Sequence, residues 1–205
     1  MTGRFISFEG IDGSGKSTQS RRLADSLRSQ GHNPLLTREP GGSAGAEDIR
    51  ALLVSGDPDR WSPETEILLF TAARRDHLER TIAPALTAGR DVITDRFADS
   101  TRVYQGTTRG DLRGLVDALH AQVIGTEPDL TLIIDMDPAE ALRRGLARDS
   151  GEDRFEDFGL DFQMRLRAGF LALAEEYPER CVVIDGTRDA DSVAADVLQT
   201  LVKRH

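Results

Sequence analysis

Apolar residues in this chain come either in short continuous runs or at every third or fourth position of longer stretches. The runs at 4–9, 34–38, 91–95, 130–135 and 181–185 read as strands buried on both faces. The stretches 16–30, 44–54, 63–88, 111–124, 138–148, 159–176 and 189–203 read as helices with one apolar side. Strand alternating with helix predicts an α/β fold: a five-stranded parallel sheet with helices on both faces. Pro84 removes an N–H from within the third helix, which predicts a kink or split there. Arg148 to Arg154 is polar throughout and predicts an exposed, mobile loop between two helices. No repeat, linker or low-complexity tract interrupts the pattern, so 1–205 is expected to be one domain.

In such sheets ligands bind beyond the carboxyl ends of the strands, and the residues there carry the candidate chemistry. Strand one runs into Gly10-Ile11-Asp12-Gly13-Ser14-Gly15-Lys16-Ser17, which fits the phosphate-binding pattern G-x-x-x-x-G-K-[ST]. Its glycines allow backbone N–H groups to converge on an anion. The following helix adds partial positive charge, Lys16 a full one, and Ser17 a hydroxyl for Mg2+. Strand preceding and helix following make this a P-loop, so the protein handles a nucleoside triphosphate. Strand two ends in Thr37-Arg38-Glu39-Pro40-Gly41-Gly42, an anion site or a surface turn. Strand three ends in Asp95-Arg96-Phe97. Asp95 there is placed to hold magnesium through water and Arg96 to clamp a phosphate; the alternative is an ion pair closing the strand. Asp137 precedes Pro138 and reads as a helix cap rather than a catalytic acid. The turn Asp185-Gly186-Thr187 would allow a flat base to approach, or is an ordinary turn. Phe70 and Arg74, four apart, share a helix face. Without further context, a core Phe70 with a solvated Arg74 explains them more simply than a base-binding pair. His77 reads as a packed or surface residue rather than a general base.

Composition narrows the class. The chain has 205 residues and a net charge of −9, which argues against a nucleic-acid or acidic-membrane surface. No apolar run approaches the roughly 18 residues of a membrane helix, and no signal-peptide pattern opens the chain, so a cytoplasmic protein is expected. The one cysteine, Cys181, excludes an internal disulfide and reads as a buried strand residue. Asn33 is the only asparagine, so neither a guanine-reading Asn-Lys-x-Asp motif nor the catalytic-loop asparagine of protein kinases can be present.

Five segments in order resemble the bacterial thymidylate kinase family along essentially the whole chain. They are Phe8 to Thr18, Thr37 to Gly42, Leu69 to Arg74, Asp95-Arg96-Phe97 continuing through Ser100 to Gly106, and the basic loop before Asp153-Arg154-Phe155-Glu156. The resemblance implies a P-loop NTPase fold and transfer of the ATP γ-phosphate to dTMP, feeding dTTP synthesis, with Mg2+ as cofactor. It implies that Lys16 and the backbone of Gly10, Asp12, Gly13, Ser14, Gly15 and Thr18 hold ATP phosphates, with Ser17 and Asp95 at the metal. Asp12 would meet the dTMP 3′-hydroxyl. Arg38 and Arg96 would bind its phosphate. Phe70 would stack on thymine, Arg74 bond its carbonyl edge, and Thr101 face ring N3. Tyr104 would pack under the deoxyribose, with Gln105 nearby. Asp185 and its turn would border the adenine. Some members carry an arginine in the P-loop just after the acid; here that position is Gly13. A lid at about 143–155 would then supply it, with Arg148 the first candidate, Arg154 the second, and Arg143 and Arg144 also within reach. The family also implies a homodimer, which the surplus of apolar positions in 44–54 and 63–88 supports. A kinase for another small acceptor and a non-catalytic nucleotide-dependent regulator are the competing readings. The Phe70, Arg74, Thr101 and Tyr104 set argues against the first. Lys16, Ser17, Asp95 and the lid arginines argue against the second.

Overall fold

Five strands form one all-parallel sheet in the order β2-β3-β1-β4-β5. They are β1 (Phe5–Glu9), β2 (Leu35–Arg38), β3 (Val92–Asp95), β4 (Leu130–Asp135) and β5 (Cys181–Asp185). The structure is a computed structural model and describes residues 3–56, 60–106, 110–146 and 159–204. All five expected strands are present within one residue of their expected ends. Parallel neighbours cannot be joined by tight turns, so each crossover carries helices. These are α1 (Lys16–Ser29), α2 (Ala44–Val54), α3 (Pro63–His77), α4 (Ala83–Thr87), α5 (Ala98–Tyr104), α6 (Arg113–Leu119), α7 (Pro138–Leu146), α8 (Gly159–Glu176) and α9 (Ala190–Lys203).

The period-two alternation of a strand assigns the two faces. Ile6, Phe8, Ile93, Leu132 and Ile134 point to one side and pack with Leu23 and Leu27 of α1 and Val193, Val197 and Leu201 of α9. Phe5 and Val92 point to the other and pack with Ile82, Phe97 and Ala98. On that second side Ile133 meets Tyr104 and the α8 residues Phe162, Leu166 and Phe170. Cys181 sits in this layer, and burial pushes its thiol up to about 12, so it is the inert strand residue expected.

Helix boundaries differ from the pattern in three places. The stretch 63–88 is split: α3 ends at His77, a π-helical turn covers Leu78–Ile82, and α4 begins at Ala83. The π turn places the break just before Pro84, the residue that cannot donate, and Ala83 N donates to Leu78 O instead of continuing the α pattern. The stretch 111–124 begins at Arg113 and ends in a second π turn, His120–Ile124, closed by Gly125 at φ 62°. The sequence pattern missed α5. Its seven residues ADSTRVY include Ser, Thr, Val and Asp, all weak helix formers. Tertiary bonds hold it instead: Arg180 donates to Asp99 at 2.5 Å, and Arg102 donates to Glu127 at 2.5 Å.

β1 lies between β3 and β4: the chain leaves it for β2 and β3 on one side and then crosses past it to β4 and β5 on the other. The strand order therefore reverses at β1, which opens a crevice at its carboxyl end. The P-loop leaves from that end, and Asp95 and Arg96 leave from the neighbouring β3.

Candidate active site

The crevice is a cavity of about 600 Å³. It is lined from the P-loop side by Asp12, Gly13, Gly15, Lys16 and Ser17, and from the opposite wall by Arg38, Phe70, Arg74, Asp95, Arg96, Thr101, Tyr104 and Gln105. Gly10, Ser14, Thr18 and Asp185 are not among its lining residues. Arg148 and Arg154 lie outside the described residues. Arg143 and Arg144 are both paired with Glu140.

The P-loop conformation explains its glycines. Gly15 has φ 101°, and a Cβ there would meet nothing within 4 Å. Backbone geometry demands the glycine, and the space above it is open to an anion. Lys16 is 5% exposed and donates to Ile11 O at 2.8 Å. Burial, then the Arg96 charge, push its ammonium down to about 8.

Arg96 is the hub of the opposite wall. Its Nη2 donates to Asp12 Oδ1 at 2.5 Å and to the Tyr104 hydroxyl at 3.1 Å, and its Nη1 donates to Ser100 Oγ at 2.8 Å. Tyr104 donates to the other Asp12 oxygen at 2.8 Å, and Lys16 Nζ stands 3.8 Å from the same carboxylate. Burial opposes ionisation of Asp12, but Arg96 and Lys16 outweigh it and hold the carboxyl below its usual range. Asp12 is thus a fixed anion near neutral pH, unsuited to proton transfer.

Arg74 is buried rather than solvated, which corrects the simpler reading of the Phe70–Arg74 pair. Its Nε donates to Glu39 Oε2 at 2.7 Å and its Nη2 to Thr101 Oγ1 at 2.9 Å. His77, fully buried as a packed residue, lies 3.1 Å from the other Glu39 oxygen and 2.8 Å from Thr37 Oγ1. Phe70 is half-buried, with its ring on the cavity. Gln105 donates to buried Glu66 at 3.2 Å. Arg38 is exposed and paired with Glu47 at 3.0 Å. Asp95 does not close the strand by pairing with Arg96: its Oδ1 is buried and accepts no hydrogen bond among the described residues.

One reading of the strand ends is decided here. Asp137 Oδ1 accepts from Ala139 N and Glu140 N at 3.0 and 3.1 Å, so it caps α7. Asp185 accepts from Thr187 N and Oγ1 at 3.0 and 2.6 Å. Gly186 is glycine because a Cβ would come 2.8 Å from Asp135 O, a packing demand of the turn itself. Glu9, Glu39 and Ser100 were missed from sequence. Their only signal was position, inside segments already singled out.

A crevice at the switch point of a P-loop sheet that directs Lys16 and Arg96 at one carboxylate can bring two phosphate groups together. That defines a phosphotransferase of the P-loop NTPase class. A sequence model of the family described as thymidylate kinase matches residues 8–197. The thymidylate kinase of Dinoroseobacter shibae is 76% identical over 97% of this chain and 96% of that protein. That of a Jannaschia species is 74% identical over 97% and 95%. The crystal structure of thymidylate kinase from Ehrlichia chaffeensis is 39% identical, superposes with a TM-score of 0.79, and covers 98% of this chain and 99% of that one. The chain belongs to the thymidylate kinase family and is an enzyme that phosphorylates dTMP to dTDP with ATP as co-substrate.

Proposed function

We propose how the residues of this cleft divide the reaction. Lys16 and the P-loop amides, including those of Gly10, Gly13, Ser14, Gly15 and Thr18, hold the ATP phosphates. Arg96, with Arg38, holds the dTMP phosphate, and Asp12 receives the 3′-hydroxyl. Phe70 stacks on thymine while Arg74 and Thr101 read its polar edge. Tyr104 packs under the sugar with Gln105 beside it. The observation that carries this reading is the shared Asp12 carboxylate, with Arg96 at 2.5 Å and Lys16 at 3.8 Å. In this reading it would draw the cation of each substrate site toward the path of the transferred phosphoryl group.

The residues present fit a magnesium ion. Ser17 and Asp95 are hard oxygen donors in the cavity, and Asp95 Oδ1 is a buried acceptor without a partner among the described residues. Bound there, Mg2+ would neutralise charge on the transferring phosphates. The attacking group is a dTMP phosphate oxygen, already anionic near neutral pH, so no general base is required. The protein's work is positioning and charge neutralisation by Lys16, Arg96 and an arginine of the lid at about 143–155, for which Arg148 remains the first candidate. The adenine-side role of Asp185 has only the turn's position in its support. We also propose that 1–205 acts as one domain, as a homodimer and in the cytoplasm. For the last, the support is that no described helix is long and apolar enough to cross a membrane.

A coupled ADP-release assay with ATP and magnesium tests the assignment, comparing dTMP with dUMP, dCMP, thymidine and no acceptor. Turnover is expected to depend on dTMP, and Arg96→Ala to lower kcat/KM by roughly 10²-fold or more. Faster phosphorylation of another acceptor would overturn the assignment of the base pocket.

A further inference from the structure

We propose that Glu9 is the positioning residue for Arg96, fixing both its backbone and its guanidinium for the acceptor phosphate. The inference rests on the reading of Arg96 given above. Glu9 is the last residue of β1 and is fully buried. By strand alternation it shares a face with Phe5 and Ser7 and points toward α5 rather than into the cavity. It is not among the cavity's lining residues. It would act through its neighbours without touching substrate.

Arg96 has φ 72°, a left-handed conformation that a side-chain-bearing residue keeps only when its surroundings impose it. Three bonds impose it. Arg96 N donates to Phe8 O at 2.9 Å. Thr94 Oγ1 donates to Arg96 O at 2.8 Å. The next amide, Phe97 N, donates to Glu9 Oε1 at 2.7 Å. The other oxygen of the same carboxylate governs the side chain. Ser100 Oγ donates to Glu9 Oε2 at 2.6 Å and accepts from Arg96 Nη1 at 2.8 Å. A hydroxyl has one proton, so accepting cleanly from Arg96 while donating behind requires an acceptor at Oε2. A carboxylate satisfies both bonds at once. Burial, then Asp99, push the Glu9 carboxyl up to about 7, while Arg96 and the two hydrogen bonds oppose that rise. The anion and the guanidinium therefore favour one another.

Glu9→Gln separates this role from packing, since it keeps the volume and the acceptor for Phe97 N. Its amide NH2 would donate to Ser100 Oγ, which would then face two donors with no acceptor for its own proton. Steady-state kinetics varying dTMP and ATP separately, with melting curves, test the proposal on Glu9→Gln, Ser100→Ala, their double variant and Arg96→Ala. Glu9→Gln is expected to raise KM for dTMP by about tenfold while KM for ATP changes by less than about twofold. Ser100→Ala should act in the same direction. The double variant should be no worse than Glu9→Gln alone, because both cut one chain of bonds. If Arg96→Ala weakens dTMP but Glu9→Gln shifts only the melting temperature, or raises both KM values alike, the Glu9 role is overturned and the Arg96 reading stands. If Arg96→Ala leaves dTMP kinetics unchanged, the Arg96 reading itself fails. Should Glu9→Gln not fold, an unchanged dTMP KM in Ser100→Ala overturns the proposal.

Discussion

Arg96 is held in a conformation that favours glycine, and the side chain it presents there is needed by the site. Its φ of 72° costs a residue with a Cβ about 1 kcal/mol or more relative to glycine. Arg96→Ala and Arg96→Gly both delete the guanidinium, so their difference isolates that cost. Chemical denaturation is expected to find the glycine variant more stable by about 1 kcal/mol, with both variants equally impaired in kcat/KM. Equal stabilities would mean that the backbone is not strained. Lys16 gives a second prediction at this scale. Burial and Arg96 hold its ammonium at about 8, below the ordinary 10.5. Free enzyme therefore loses this proton as pH rises through 8, whereas a lysine facing a triphosphate keeps it. ATP binding should take up most of one proton at pH 8.5 and almost none at pH 7, and affinity should fall above pH 8 by at most about tenfold per unit. Calorimetry in two buffers of different ionisation enthalpy measures the uptake directly, and no uptake at pH 8.5 would contradict the assignment.

Elements explain why Gly13 stands where some family members carry arginine. A Cβ on Gly13 would fall 1.9 Å from Ala141 O, in the backbone of α7, and φ there is 84°. With α7 seated against the P-loop, no side chain fits. Gly13→Ala should destabilise the fold by roughly 2 kcal/mol or more and lower ATP affinity, since α7 or the P-loop must move. A melting temperature and ATP affinity unchanged from the parent would show that α7 yields freely. The elements also divide by how legible they were. The strands were readable because burial on both faces makes them apolar throughout. α5 was not, because its helix rests on Glu127 and Arg180, partners far from it in sequence. The first π turn was legible only as the break that Pro84 demands, and the second was not legible at all. Arg74 was misjudged for a similar reason. Its charge is balanced by Glu39, 35 positions away, and spacing along one helix cannot reveal that partner.

At the scale of the whole molecule, the site was legible as positions and illegible as contacts. Strand ends and motifs named most of the residues that the sheet gathers at its switch point. Which charge faces which was decided only by the fold. Assembly is the remaining question at this scale, and it turns on surface that the sheet leaves uncovered. Leu68 on α3 is 56% exposed and Leu52 on α2 is 38% exposed, on two helices that pack against each other. Within one chain these leucines gain little from burial, whereas a second copy would cover them and gain about 25 cal/mol for each Å² of apolar surface removed from water. A homodimer through α2 and α3 should therefore scatter light as twice the 22.5 kDa of one chain at micromolar concentration. Leu68→Asp should shift that mass toward 22.5 kDa, because a charge buried at an apolar contact without a partner is costly, while the same charge on an exposed helix face costs the isolated fold little. A parent protein already at the single-chain mass would refute the dimer, and a dimer insensitive to Leu68→Asp would move its interface off the α2–α3 face.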